Sequence, residues 1–590
     1  MRRFVIGLLA VVGFFTLLGV GGAVLVFSMA GSGRPTPPER IVLEIDWRRL
    51  PQETAAGGGL DLALLAPQKP TLSQTVTLLQ RAAKDPRVVG LIATLGDDAP
   101  GYASVQELRD AIAAFRAAGK FAIAFTESFD EGSSGLQNYY LATAFEKVWL
   151  QPSGDFGVVG LAAQVPFLKG ALDKLGVRAE GGQRMEYKSA PESFTAAGMT
   201  PAHRENMQQL LDGLYELVTA DVATARKISV ADVRGLIDRA PLSAQEALQA
   251  KLVDKTLYRD EARVEALLQA GEHADVFALE DYAELDKSQP PAGDTIALVV
   301  ASGTIVSGDP DDNPLQGESV LAVDRTVQLI EAAARDGDVK ALVVRIDSPG
   351  GSYVASDTLR RALERAKAGG RPLIVSFGDV AASGGYFAAL PADTIVAQPG
   401  SITGSIGVFS IKPVVSELID TLGIKIETLT TGANATMSSP LHAFTPQQQA
   451  LLDRQLDRIY GDFTAKVSAA RKLDPAKLDR AARGRVFTGA QAKAAGLVDE
   501  TGGLSRAIAL AKTRAGIDAG RDVRIRRYPA EKEPLERLLD LVFSGGKPPR
   551  VMAATDAGAT TRALAQRLNV LGLHWRADTM RLPPLPPLWR

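Results

Sequence analysis

Cysteine is absent from the 590-residue sequence, and histidine is scarce. Without thiols the chain has no disulfide, no thiolate metal site and no cysteine nucleophile, although this absence does not fix the cellular compartment. The four histidines are His203, His273, His442 and His574; no two are close in sequence, and none lies in an H-E-x-x-H run. The sequence therefore predicts no metal ion and no cofactor.

Neither sign of charge is in excess. The formal net charge is −2 at pH 7, which leaves no basic footprint for nucleic acid, so we expect no nucleic-acid partner. Hydrophobic residues make up 46% of the chain, which is ample for large cores. A chain of this length has room for roughly three or four domains of ordinary size.

Charge is missing altogether from residues 4–29, which follow the basic start Met1-Arg2-Arg3. At about 1.5 Å per residue, this stretch is longer than the ~30 Å hydrocarbon core of a bilayer. The apolar region of a secretory signal is shorter, about 7–15 residues. Residues 1–30 therefore favour a retained membrane anchor over a cleaved signal peptide. With Arg2 and Arg3 inside, the rest of the chain would lie outside the cytoplasm.

After a linker at residues 31–40, the chain repeats itself once. Matching segments recur at a nearly constant offset: Gln151-Pro152 with Gln398-Pro399, Leu175-Gly176-Val177 with Leu422-Gly423-Ile424, and Leu252-Val253-Asp254 with Leu497-Val498-Asp499. We predict two copies of one α/β domain, at residues 41–286 and 295–530, joined by a Pro/Gly linker at 287–294. Residues 531–590 form a C-terminal tail with a Pro-rich end, to which we assign no role.

Residues 341–408 of the second copy carry the most informative pattern. Two apolar, β-branched runs, 341–346 and 372–377, predict buried strands, and a helix sequence lies between them. This order is typical of a βαβ unit with a parallel sheet. A Gly-rich turn follows each strand, at the sheet edge where ligands usually bind. Ser383 in the second turn suggests a nucleophile beside an oxyanion hole. From these residues alone, two ordinary tight turns are an equally good interpretation.

Each copy lacks a part that the other has. Three polar residues are replaced by apolar ones at the matching position of the other copy: Ser383 by Leu136, Ser405 by Val158 and Lys188 by Ala435. A complete site would therefore need both copies. A serine also needs a base, because its hydroxyl is a weak nucleophile at neutral pH. Lys188 can serve if burial without a counter-charge lowers its pKa, and His442 is the alternative base.

Four motifs together resemble the long-form bacterial signal peptide peptidase A family. They are Tyr-Lys-Ser-Ala-Pro-Glu at 187–192, Ser-Pro-Gly-Gly at 348–351, Ala-Ala-Ser-Gly-Gly-Tyr at 381–386 and Gly-Ser-Ile-Thr-Gly-Ser-Ile-Gly at 400–407. The tandem domains and the N-terminal anchor fit the same family. The resemblance covers nearly the whole chain up to the tail.

The resemblance implies an α/β fold of the Clp-protease/crotonase-like type in each copy, and a serine endopeptidase with a Ser/Lys dyad. It implies that Ser383 is the nucleophile, that Lys188 is the general base and that Ser405 orients the lysine. It also implies that the backbone N–H groups of Gly351 and Gly384 form the oxyanion hole.

The same resemblance implies a homotetramer, anchored in the bacterial inner membrane by one helix, with its catalytic domains on the periplasmic side. Its substrates would be remnant signal peptides and other apolar peptides, with small and apolar side chains accepted near the cleaved bond.

Two other functions remain open on the sequence. A crotonase-like acyl-CoA enzyme would also use a Gly-Gly oxyanion hole, and a non-catalytic membrane scaffold would keep the serine and lysine only as relics. The separation of Ser383 and Lys188 allows the dyad to form within one chain or between chains. Subsite preferences, the exact number of subunits and any cleavage of the anchor are also left open.

Overall fold

The structure is a computed structural model that describes residues 37–53, 69–98, 101–129, 135–287, 293–308, 320–530 and 579–581. The predicted anchor, at 1–30, lies outside the described residues, as does most of the predicted tail. Among the described residues, no helix is long and apolar enough to cross a bilayer.

The first repeat is built on a six-stranded parallel sheet. Its elements, in chain order, are β1 (Arg40–Arg49), α1 (Leu72–Lys84), β2 (Val88–Asp98), α2 (Tyr102–Ala117), β3 (Phe121–Thr126), α3 (Leu136–Ala142), β4 (Lys147–Leu150), β5 (Asp155–Phe156), α4 (Lys169–Lys174), β6 (Arg178–Gln183), α5 (Glu192–Thr195), α6 (Pro201–Arg226), α7 (Val230–Ile237), β7 (Leu242–Ser243), α8 (Ala244–Gln249), β8 (Lys255–Thr256), α9 (Arg259–Ala270), β9 (Ala274–Ala278) and α10 (Leu279–Lys287). The strand order is β8-β4-β3-β2-β1-β9.

The second repeat is built on an eight-stranded sheet. Its elements are β10 (Thr295–Ser302), β11 (Thr304–Val306), β12 (Val320–Ala322), α11 (Val323–Arg335), β13 (Val339–Ser348), β14 (Gly350–Ser352), α12 (Tyr353–Ala368), β15 (Leu373–Ala382), α13 (Gly384–Ala389), β16 (Thr394–Ala397), β17 (Ile402–Gly404), β18 (Phe409–Val414), α14 (Ser416–Thr421), α15 (Pro446–Arg471), α16 (Pro475–Ala481), β19 (Val486–Thr488), α17 (Gly489–Ala494), β20 (Glu500–Thr501), α18 (Leu504–Arg514) and β21 (Arg524–Tyr528). The main path is β19-β17-β15-β13-β10-β21, in which β19 alone runs antiparallel to its neighbour; β16 and β20 add beside β15.

Helices cover both faces of the second sheet. Because side chains alternate along each strand, successive residues of one strand pack against helices on opposite faces. On β13, Val343 packs in one cluster with Ala507 of α18. Its neighbours Leu342 and Val344 point the other way, into a cluster that includes Leu359 of α12. A parallel strand buried on both faces needs the continuous apolar run that the sequence shows.

The repeat is visible element by element. The long helices α6 and α15 each contain 26 residues, begin with a Thr N-cap followed by Pro, and end at a lysine in the left-handed conformation. Pro is well suited to the first helical turn, where its missing N–H has no partner to lose. These features confirm the predicted pair of α/β domains with parallel sheets.

The second strand of the βαβ unit is longer than the sequence predicts. The apolar run ends at Phe377, but β15 continues to Ala382, through the start of the predicted turn. The extension is held by pairing of Val380 with Ile402 and of Ala382 with Gly404 on β17. The strand therefore delivers the chain directly to Ser383.

The small segment Thr579–Arg581 forms a final strand, β22. It pairs antiparallel with β14, with Gly351 opposite Met580. This part of the predicted tail therefore lies against the second repeat.

Candidate active site

Ser383 lies at the abrupt junction between β15 and α13. Its backbone has φ 54° and ψ −115°, a conformation that few residues other than glycine adopt. Two backbone hydrogen bonds hold it: the Ser383 N–H donates to the Gly404 carbonyl at 2.8 Å, and its carbonyl accepts from the Phe387 N–H at 2.9 Å. The side chain is fully buried. The local fold thus fixes the Ser383 hydroxyl in one place.

Lys188 comes from the first repeat and meets Ser383 in the same chain. Its Nζ lies 2.8 Å from Ser383 Oγ. It also donates to Ser405 Oγ at 2.9 Å and to the Ser405 carbonyl at 3.0 Å. The structure therefore brings three of the residues predicted for the site together, within one chain.

Lys188 is buried without a counter-charge. The side chain is fully buried, and it forms no ion pair with any carboxylate in the part of the chain that the structure describes. Burial penalises the ammonium form and holds the pKa of Lys188 well below its usual 10.5. A lysine in such a place can accept a proton near neutral pH.

Two glycines make room for the Lys188 side chain. A Cβ added to Gly484 would lie 2.4 Å from the Lys188 backbone nitrogen, and one added to Gly407 would lie 3.0 Å from its Cδ. Gly484 also has φ +87°, which a side chain rarely allows. Gly407 belongs to a motif of the sequence, but nothing in the sequence around Gly484 signals this role.

Ser405 shares the positive φ of Ser383, 54°. Its N–H donates to the Arg485 carbonyl at 2.6 Å, and its side chain is fully buried. Both its hydroxyl and its carbonyl therefore face Lys188 from a rigid support.

The two predicted oxyanion glycines are close neighbours. A Cβ added to Gly384 would lie 3.3 Å from the Gly351 nitrogen and 2.4 Å from Ser356 Oγ. Gly351 itself packs against β11, where an added Cβ would lie 2.1 Å from the Ile305 carbonyl oxygen. The packing around both positions therefore excludes a side chain.

His442, the alternative base, does not reach this cluster. Its Nε2 lies 3.2 Å from Thr428 Oγ1, and its carbonyl accepts from Lys412 Nζ at 2.7 Å. Neither contact leads to Ser383. The geometry therefore favours the lysine over the histidine as the partner of the serine.

The matching place in the first repeat is apolar. Leu136 and Val158, which stand where the second repeat has Ser383 and Ser405, are buried and line a small cavity of ≈ 10 Å³ with Tyr139 and Phe156. The two hydroxyl-bearing residues of the lining, Tyr139 and Thr219, donate to the carbonyls of Leu252 and Tyr215. The first repeat alone has no nucleophile at this place.

The first repeat also supports the strand that carries Ser383. The N-cap of helix α2 is Gly101, which has no side chain to cap the helix. Asp379 of the second repeat does so instead, accepting from the Gly101 N–H at 3.1 Å, the Ser104 N–H at 2.8 Å and Ser104 Oγ at 2.5 Å. Beside it, Asp347 accepts from the Val380 N–H at 3.0 Å. Burial, together with the Asp379 charge, raises the pKa of Asp347 to about 7.

A buried arginine joins the repeats behind the site. Arg345 of β13 forms ion pairs with Glu107 at 2.5 Å and with Glu53 at 3.3 Å, both from the first repeat. It also donates to the Phe377 carbonyl at 2.6 Å and to Ser376 Oγ at 2.9 Å. Burial raises the pKa of Glu107 to about 7. Arg345 lies in the run 341–346 that predicts a buried strand, but its carboxylate partners come from distant parts of the first repeat and could not be identified from the sequence.

Comparison with known proteins shows the family. The signature of peptidase family S49 matches residues 115–273 and 365–518, once in each repeat. Protease 4 of Salmonella typhi is 32% identical over an alignment of 488 residues that covers 80% of this chain and 76% of that protein. The chloroplastic serine protease SPPA of Arabidopsis thaliana is 31% identical, covering 75% of this chain and 65% of that one. Protease 4 of Haemophilus influenzae is 30% identical, covering 75% and 72%.

These relatives confirm the resemblance to the long-form signal peptide peptidases that the motifs indicated. The similarity extends through both repeats rather than through one motif. The chain therefore belongs to peptidase family S49, as a serine peptidase that carries the S49 domain twice.

Proposed function

We propose that the chain is a serine endopeptidase in which Ser383 is the nucleophile and Lys188 is the general base. The observation that carries this proposal is the 2.8 Å contact between Lys188 Nζ and Ser383 Oγ, in a buried place without a carboxylate partner. An ammonium group there would be poorly solvated, whereas a neutral amine has a lone pair for the hydroxyl proton.

A neutral Lys188 can satisfy all three of its hydrogen-bond contacts. A neutral amine has two N–H donors and one lone pair. Ser405 offers two acceptors, its hydroxyl and its carbonyl, at 2.9 and 3.0 Å. These use both donors and leave the lone pair for the Ser383 hydroxyl. Ser405 thereby orients the lysine.

The reaction follows from this arrangement. Lys188 takes the hydroxyl proton of Ser383 while the Ser383 oxygen attacks the peptide carbonyl. Lys188 then gives this proton to the leaving amine. Water, activated by the same lysine, hydrolyses the acyl-enzyme. The N–H groups of Gly351 and Gly384 stabilise the oxyanion, and loss of one such donor typically costs roughly 3–4 kcal/mol.

The proposed substrates are remnant signal peptides and other apolar peptides. Residues 1–30 would anchor the enzyme in the bacterial inner membrane, with both domains of the Clp-protease/crotonase-like fold on the periplasmic side, as a homotetramer. Such tethering would hold the site where apolar peptides leave the bilayer. An acyl-CoA enzyme or a scaffold has less support, because neither needs a buried lysine against Ser383.

The pH dependence of peptide hydrolysis tests the proposed base. Protonated Lys188 cannot accept a proton, so kcat/KM should be low in acid and rise with pH through the lysine pKa, which burial holds well below 10.5. The measurement is hydrolysis of a fluorogenic apolar peptide by the full-length enzyme from pH 5 to 10. A profile that falls over this range would contradict the proposal.

Ser405→Ala provides a sharper version of the same test. The Ser405 hydroxyl accepts from Lys188 and so favours the charged amine; its removal should move the rise in kcat/KM to lower pH and reduce kcat by about tenfold, the effect of about one hydrogen bond. Ser401→Ala is a matched control, since its equally buried hydroxyl donates to the Gly378 carbonyl at 2.8 Å instead. An unshifted profile in Ser405→Ala would show that Ser405 does not act on the lysine.

A further inference from the structure

Arg485 lies immediately before β19 and supports Ser405 through its backbone. The Arg485 carbonyl accepts from the Ser405 N–H at 2.6 Å. The next residue, Val486, pairs with Gly404 of β17. The backbone at Arg485 therefore belongs to the rigid support that presents Ser405 to Lys188.

Gly484, the residue before Arg485, packs against the lysine. A Cβ added to Gly484 would lie 2.4 Å from the Lys188 nitrogen, and the Gly484 N–H donates to the Ile406 carbonyl at 2.8 Å. Gly484 therefore contacts both the backbone of Lys188 and the turn that carries Ser405. The lysine amine and the serine hydroxyl meet beside it, at 2.9 Å.

The Arg485 side chain extends to the first repeat. Its guanidinium lies over the Tyr187 ring, with Cζ 3.6 Å from the ring centroid, and it donates to the Tyr187 hydroxyl. It also donates to Glu205 of α6 at 3.0 Å, and the Tyr187 hydroxyl donates to the same carboxylate at 3.0 Å. A planar guanidinium can stack on a ring and donate to two groups at once. Each of these three side chains is therefore held by the other two.

The first repeat also holds the residue that follows Arg485. Asn206 of α6 is buried. Its Nδ2 donates to the Val486 carbonyl at 2.8 Å, and its Oδ1 accepts from the Val486 N–H at 2.8 Å. The backbone next to Arg485 is thus fixed by β17 on one side and by α6 on the other.

The arginine has no counterpart in the first repeat. The N-caps Ser243 and Thr488 begin the equivalent helices α8 and α17, which sets the offset in this region at 245 residues. At this offset Ala240 stands in place of Arg485. The arginine therefore occurs only in the repeat that carries Ser383, as do Ser383 and Ser405 themselves.

We infer that Arg485 is a positioning residue for the dyad, whose carbonyl holds Ser405 while its guanidinium holds Tyr187, the residue before Lys188. Its side chain contacts Tyr187 and Glu205 rather than Ser383 or Lys188, so it acts through its neighbours. Without the guanidinium, the lone pair of Lys188 would point at the Ser383 hydroxyl for a smaller fraction of the time. This inference rests on the catalytic roles proposed above.

Arg485→Met tests the inference, because methionine keeps the backbone carbonyl and removes the guanidinium. With the full-length enzyme and a fluorogenic apolar peptide, kcat should fall by about 10- to 100-fold, the effect of a misplaced catalytic group. KM should change by less than about threefold, because Arg485 acts on the base and not on substrate binding.

A double variant separates positioning from general loss of structure. In Ser405→Ala, the hydrogen bond that Arg485 aligns is already missing. The loss of kcat in Ser405→Ala/Arg485→Met should therefore be at least about fivefold smaller than the product of the two single losses, because the two residues are coupled. Losses that multiply fully would overturn the inference, since a merely structural effect of Arg485 would be independent of Ser405.

Arg483→Met is the matched control. Arg483 lies two residues away, and its side chain forms ion pairs near the surface with Glu186 at 2.9 Å and Asp479 at 3.1 Å. Its carbonyl, which accepts from the Tyr187 N–H at 3.2 Å, is unchanged by the substitution. Exposed ion pairs contribute little, so kcat should stay within about threefold of wild type. A loss as large as that of Arg485→Met would overturn the inference.

Tyr187→Leu makes the same test from the first repeat, and it decides the matter if Arg485→Met fails to fold. It removes the ring and the hydroxyl that the guanidinium holds, so kcat should fall to a similar extent. Unchanged kcat in Tyr187→Leu would overturn the inference. The proposed function fails separately, through full activity of Lys188→Ala. An inactive Lys188→Ala together with unchanged kcat in Arg485→Met would overturn the positioning role alone.

Discussion

Ser383→Ala and Lys188→Ala are each expected to lower kcat/KM for an apolar fluorogenic peptide by at least about 10³-fold, as loss of a nucleophile or its base does in other serine peptidases. In the proposed mechanism, Ser383 supplies the oxygen that attacks the carbonyl. Lys188 is the only amine or imidazole that the structure brings to this oxygen among the described residues, at 2.8 Å. The two losses should not add in the double variant, because the residues act as a unit.

Two control variants separate chemistry from folding. Lys412 is also a buried lysine, but its Nζ donates to the carbonyls of Met437 and His442 at 3.0 and 2.7 Å rather than to Ser383. Neither side chain contacts Ser383 or Lys188, so Lys412→Met and His442→Ala should keep activity within about tenfold of wild type. Full activity in Lys188→Ala, or a dead His442→Ala, would reopen the histidine as the base.

Arg345→Met is expected to destabilise the chain by about 3–5 kcal/mol, because it leaves buried carboxylates without their counter-charge. Glu107 and Glu53 come from the first repeat and Arg345 from the second. The damage should therefore loosen the junction between the repeats and reduce activity as well. The measurement is urea unfolding of wild type and variant at pH 5.5 and pH 8.

The direction in which the stability of Arg345→Met changes with pH shows whether the unpaired carboxylates cause its destabilisation. Burial already raises the pKa of Glu107 to about 7 with the arginine present, and removing the arginine should raise that pKa further. A carboxyl with a raised pKa in the folded state destabilises the fold as the pH rises and it ionises. The loss in the free energy of unfolding caused by Arg345→Met should therefore be smaller at pH 5.5 than at pH 8. Glu107→Gln in the same chain should restore part of the loss.

Arg365→Met is the surface control. This arginine is 65% exposed and pairs with Glu331 at 3.2 Å, so its replacement should change stability by less than about 1 kcal/mol at either pH. A loss in Arg345→Met that is equally small, or equal at both pH values, would show that the buried network does not hold the repeats together.

The sequence predicted much of the site because the two repeats of the chain can be compared with each other. Ser383, Ser405 and Lys188 stood out since the other repeat has Leu136, Val158 and Ala435 at the matching positions. The βαβ unit was predicted for a simpler reason: a strand buried on both faces must be a continuous apolar run. Both inferences use patterns that are local or that recur at a fixed offset.

What the sequence did not show depends on contacts between distant residues. The sequence does not distinguish Gly484 from the other glycines, because its role depends on the packing of Lys188 against it. Asp379 looks like a turn residue, yet it caps a helix of the other repeat. The run after Phe377 lacks strand character, and only its pairing with β17 extends the strand to Ser383. The meeting of serine and lysine within one chain was likewise open until the repeats were placed together.

The most direct test of the central claim, that one chain supplies both members of the dyad, mixes two inactive variants. Ser383→Ala and Lys188→Ala chains would be co-expressed with different affinity tags, and assemblies carrying both tags would be assayed for peptide hydrolysis. Because Lys188 and Ser383 meet within a chain, every site in such an assembly lacks one member, and the mixture should be as inactive as either variant alone. Recovery of activity in the mixed assemblies would show that the site forms between chains, and would contradict the account.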